Sequence, residues 1–114
     1  MRIVNQDVAA TGLPGTCRLE VPAWSERNAY VLTWDDYTDC DQGISPGWYR
    51  DAVGALMDVA DDAQGAIMES TMQAWPVCPW HHLGTHVEEH DGAAVWWCKG
   101  NDGHVVAAIG RWGR

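Results

Sequence analysis

Apolar positions change period along the chain, and the changes mark its elements. From Cys17 to Val21 apolar and polar residues alternate, and the run stops at Pro22. A second run, Asn28 to Trp34, reads NAYVLTW and is rich in β-forming residues. Such runs, separated by turn-forming residues, predict two strands paired as a hairpin. From residue 46 the period lengthens. Tyr49, Ala52, Val53, Leu56, Ala60, Ala63 and Ile67 recur at helical spacing, and Pro76 closes the pattern. Ser45-Pro46 supplies an N-cap and a first helical residue. This predicts a helix from 46 to about 73, with Tyr49, Leu56, Val59, Ile67 and Met72 facing the core. Gly54 and Gly65 weaken the pattern and Asp61-Asp62 offers a restart, so 62–65 is a candidate kink.

Strand character returns after Pro76. The segments HVEEH and AAVWWC flank Asp91-Gly92, a dipeptide suited to a tight primed turn. Setting the register on that turn pairs His90 with Ala93, Val87 with Trp96 and Thr85 with Cys98. His104 to Ile109, HVVAAI, forms a third strand. Residues 1–15 show no clear period and end in Gly12, Pro14 and Gly15, so they read as irregular. The class is α+β: an N-terminal β-hairpin, a central helix, and a C-terminal β-hairpin plus third strand. Residues 1–75 form an acidic α+β part and 76–114 a separate module, packed as one domain.

At 114 residues the chain buries a modest core, and chains of this size often rely on a metal or disulfides. The formal net charge is −9. Residues 1–77 carry four arginines against twelve carboxylates, whereas 78–114 carry three basic and four acidic groups. No segment has the basic footprint of a nucleic-acid binder. No apolar run is long enough for a bilayer, and the start lacks the apolar stretch of a signal peptide. The expected location is the cytoplasm. Eight Trp and no Phe, and one Lys against six Arg, look like GC-rich coding.

In a reducing compartment four cysteines read more readily as metal ligands than as disulfides. Cys78 and Cys98 have histidines at ligand spacing: Cys78-x2-His81, sixteen residues, then Cys98-x5-His104. Two short knuckles joined by a hairpin are the plan of a zinc ribbon, which supplies four thiolate and imidazole ligands in a tetrahedron. Cys78, His81, Cys98 and His104 are the expected ligands of a structural Zn2+, with His82 or His86 as replacements for His81. Pro79 suits the first knuckle, and Gly100 and Gly103 let the second turn. The stretch His86 to His90 also matches H-x-x-E-H, an inverted zinc-peptidase motif that requires a helix. A strand instead places His86, Glu88 and His90 on one exposed face, away from ligation.

The pattern "WPVCPWH…DGAAVWWC…HVVAAIG" resembles small proteins of GC-rich actinobacteria and their phages. The resemblance spans about residues 63–112 and implies a zinc-ribbon-like module, with little about activity. The acidic N-terminal part lies outside it.

Asp39, Asp41 and Gly43 form a D-x-D-x-G fragment, which a calcium loop would have to extend with more oxygens; a solvated acidic loop is the simpler reading. Cys17 and Cys40 flank the first hairpin and would pair only in an exported protein. Trp96 and Trp97 must point to opposite faces of their strand, one to the core and one to solvent or a partner. The expected role is non-enzymatic: a zinc-stabilised module that binds a protein partner, basic if it meets the acidic face. The alternatives are an acidic DNA mimic that blocks a nucleic-acid-binding protein, and a zinc-dependent hydrolase.

Overall fold

The computed structural model describes residues 1–25, 27–38, 43–44 and 51–113. The predicted cap at Ser45-Pro46, Tyr49, Cys40, and Asp39 and Asp41 of the acidic loop lie outside these residues.

The element order is α1 (Arg2–Ala10), β1 (Arg18–Glu20), β2 (Tyr30–Leu32), α2 (Ala52–Thr71), β3 (His86–His90), β4 (Ala93–Cys98) and β5 (His104–Ala108). Strands β1 and β2 pair antiparallel as the expected hairpin. Strands β3, β4 and β5 form an antiparallel sheet in that order. The register set by Asp91-Gly92 holds, with His90 opposite Ala93 and Val87 opposite Trp96. Both turn residues adopt positive φ, at 51° and 80°.

Helix α1 replaces the irregular start expected from sequence. Its nine residues offer only Val4 and Val8 as an apolar i, i+4 pair, too little for a periodic signal. A helix this short is marginal alone and depends on tertiary packing. Here Val4, Asp7 and Val8 are all fully buried.

The central helix is one element, with no interruption at 62–65. It opens at Ala52 instead of 46, because Asp51 is extended and caps it, its side chain accepting from the Gly54 amide at 2.8 Å. The inward face carries Ala60, Ala63, Ala66 and Ile67. Met72 is not on it: it is the left-handed C-cap and is 85% exposed.

One core runs across the position where the two parts were divided. Val4, Val8, Val31, Ala63, Ile67, Trp75, Trp96 and Ile109 belong to a single cluster. Trp75 meets Trp96 edge-on, with centroids 5.4 Å apart. Asp7 ties the chain's ends together. Its Oδ2 accepts from Trp96 Nε1 at 2.8 Å and from the Gly110 amide at 2.6 Å, and its Oδ1 from the Trp112 amide at 2.8 Å. Asp62 on α2 accepts from the Val31 amide at 2.8 Å and so fixes β2 to the helix. Among the described residues no helix is long and apolar enough to cross a membrane.

Candidate metal centre

The first knuckle follows directly from α2. Trp75 and Pro76 leave the helix through a cis peptide bond. Thr85 then returns both its amide and its hydroxyl to the Pro76 carbonyl, each at 2.9 Å. Inside that closure the Cys78 amide donates to the Leu83 carbonyl at 2.8 Å, and the His82 amide to the Cys78 carbonyl at 2.9 Å. His82 takes a φ of 57°, which completes the turn and leaves its ring in solvent. His81 therefore projects inward, and His82 does not replace it.

The second knuckle joins β4 to β5, where Cys98 and His104 lie directly opposite each other. The intervening turn has positive φ at Asn101, Asp102 and Gly103. Gly100 donates its amide to Cys98 Sγ at 3.3 Å. An added Cβ there would lie 2.6 Å from the His81 ring. Gly100 thus serves close approach between the knuckles, a tighter demand than the loop freedom read from sequence. Gly103 combines a φ of 93° with the Trp97 ring, 2.5 Å from where a Cβ would stand.

These two turns bring Cys78, His81, Cys98 and His104 together, with ligand atoms all within 4.8 Å of one another. Cys78 Sγ is 3.6 Å from His81 Nδ1 and 3.6 Å from His104 Nε2. Cys98 Sγ is 3.4 Å from His81 Nδ1, and the two ring nitrogens are 3.2 Å apart. Both sulfurs are fully buried and both imidazoles half-buried. Two thiols and two imidazoles have too few protons to bond along every edge of such a cluster. One cation at its centre would engage all four, so the group can hold a metal ion.

Surrounding residues orient these donors. His104 Nδ1 lies 3.3 Å from the Val105 carbonyl, so a proton there leaves Nε2 as the ligating nitrogen. The exposed Trp80 meets the His104 ring edge-on at 5.6 Å. Gln64 of α2 donates through Nε2 to the Trp75 carbonyl at 3.0 Å and the Thr85 carbonyl at 2.6 Å, clamping both ends of the first knuckle to the helix. Gln64 was not legible in the sequence, since its partners are 11 and 21 residues away.

The remaining histidines do not converge. His86 and His90 are exposed on β3, so H-x-x-E-H lies in a strand and lacks the helix its chemistry needs. The half-buried Trp97 packs near His90, at 5.6 Å between ring centroids, while Trp96 fills the core. Cys17 is buried and reduced, and burial pushes its thiol up to about 11. It belongs to the core and has no part in the site.

Gly100→Ala is expected to displace His81 and weaken metal binding by about tenfold or more. Competition with a chromophoric chelator reads this directly, and unchanged affinity would remove Gly100 from the account.

No family model, curated protein or solved structure matches the chain.

Proposed function

We propose that Cys78, His81, Cys98 and His104 hold a structural zinc ion, and that the chain works by binding a protein partner. The donor spacing carries the zinc reading. Zinc bonds of about 2.3 Å to sulfur and about 2.0 Å to nitrogen give tetrahedral edges of about 3.5 Å between S and N and about 3.3 Å between nitrogens. Three of the four S···N separations, at 3.4 to 3.6 Å, and the N···N separation of 3.2 Å match these edges, in a cluster whose ligand atoms all lie within 4.8 Å of one another. Thiolate and imidazole together suit zinc better than an oxygen-preferring ion.

Four protein donors fill a tetrahedron and leave no position for water or substrate, as in structural sites. The ion's work is then to fasten two knuckles and hold the sheet against α2. Both cysteines must stay reduced, which fits a cytoplasmic setting. Binding is the remaining role that the surface supports. Trp80 and Leu83 stand exposed on the first knuckle, at 66% and 48%, and the net charge of −9 favours encounter with a basic partner.

Cobalt substitution tests the closed site. The Co(II) protein should bind one ion per chain, show the intense visible bands of a tetrahedral centre with thiolate charge transfer, and keep that spectrum on addition of azide. A spectrum that azide changes would reveal an open position and return a hydrolytic role to consideration.

A further inference from the structure

The carboxyl-terminal end of α2 borders an open groove of about 450 Å³, lined by Gly65, Met68, Glu69, Met72, Gln73 and Ala74. Met68 and Met72 stand one helical turn apart, at 39% and 85% exposure. Unbranched thioether side chains adapt to many apolar shapes, which suits a binding surface. Ala74 lies against Gly84, whose added Cβ would be 3.3 Å away, so the first knuckle flanks the groove.

Among the described residues that line the groove, the one charged side chain is acidic. The last carbonyls of a helix carry partial negative charge, which a basic residue in the last turn commonly offsets. The last turn of α2 has none. It carries Glu69, whose Oε2 accepts from the Tyr37 hydroxyl at 3.3 Å. Asp35, outside the groove's lining, adds a carboxylate to the same end of α2, accepting from Ser70 Oγ at 3.0 Å. Hydrogen bonds from Thr33 and Ser70 hold the Asp35 carboxyl below its usual range, so it is charged at neutral pH. Asp36 beside it is already paired with Arg18. From Asp51 to Cys98 the sequence contains no Lys or Arg.

We infer that this groove is the docking site for a cationic amphipathic segment of another protein. An apolar side chain of the segment lies between Met68 and Met72. Its Lys or Arg meets Glu69 and the terminal carbonyls of α2. The assignment rests on the protein-binding reading above and names the surface and the partner's chemistry.

The chain's four methionines, Met1, Met57, Met68 and Met72, make the test direct. Zinc-loaded full-length protein labelled at the methionine methyls is titrated with a short helical Leu-Lys peptide and, separately, with its Leu-Glu counterpart. The Leu-Lys peptide should move the Met68 and Met72 signals and leave Met1 and Met57 in place, while the Leu-Glu peptide moves none. Met72→Gln removes an exposed side chain, so the fold is retained, and it should weaken binding about tenfold through the lost apolar contact. Shifts confined to Met1 or Met57 would overturn the groove and leave the protein-binding reading standing. Equal response to both peptides would overturn the cationic partner. Met68 and Met72 signals that move with protein concentration alone would assign the groove to a second copy of the chain. No response to either peptide would overturn the docking site, while the metal assignment rests on its own measurement.

Discussion

Cys98→Ser is expected to lose the metal and unfold the carboxyl-terminal third. Structural zinc sites in small domains contribute about 10–16 kcal/mol of apparent binding free energy at neutral pH. A domain's whole stability is typically about 5–15 kcal/mol. Loss of one thiolate leaves three donors gathered at hydrogen-bond distances, with no ion to hold them. The Cys98 side chain is fully buried, so water cannot replace it without opening the second knuckle. Elemental analysis should find one zinc per wild-type chain and almost none in the variant. Hydrogen exchange should show lost protection across β3 to β5. His90→Ala is the control, because His90 is exposed beside the turn and should leave both readouts unchanged. Equal zinc loss in the two variants would mean that the ligand set is wrong.

Asp7→Asn should destabilise the zinc-loaded protein by about 3 kcal/mol, lowering Tm by roughly 10–20 °C. The change is nearly isosteric, so packing is kept. What changes is hydrogen-bond polarity. Asp7 accepts from three N–H groups, those of Trp96, Gly110 and Trp112. An amide turns one of the two oxygens into an NH2 donor, which then faces another donor in a fully buried position. At least one buried donor is left without an acceptor. Thermal unfolding followed by circular dichroism, at saturating zinc, measures the loss. A shift below about 1 kcal/mol would show that the ends are held by apolar packing alone.

The Cys/His cluster was legible because its four donors are local and their spacing is chemical. Two short Cys/His pairs and an Asp-Gly turn fix the geometry within 27 residues, and the strand register follows from the turn. Helix α2 was visible from its apolar period, although its first residue was misplaced. Ser45-Pro46 offers a strong start signal, yet Asp51 is the cap that closes on α2. Met72 continued the period in sequence but falls where the helix ends in a left-handed residue. What sequence could not display was interaction at long range. Nothing near Asp7 indicates that its partners lie 89 to 105 residues away. Helix α1 was missed for the same reason, since its burial depends on those partners. Gln64 reads as an ordinary polar position of a helix, and only the fold reveals its two carbonyl acceptors.

The Asp7 connection also constrains how the protein is made. During synthesis α1 emerges 89 to 105 residues ahead of the groups that complete it. Until Trp96, Gly110 and Trp112 leave the ribosome, Asp7 lacks its full set of native partners, and Val4 and Val8 lack much of their packing. The two Cys/His knuckles need only the segment from Cys78 to His104, so they can close before α1 docks. Native structure would then be acquired at the knuckles first, with α1 docking afterwards. Closing a loop of this length costs entropy before its contacts return any, so the nascent chain passes through a stage in which Val4 and Val8 are unshielded. That stage is where a chaperone would act, and where a truncated translation product would be recognised as unfinished.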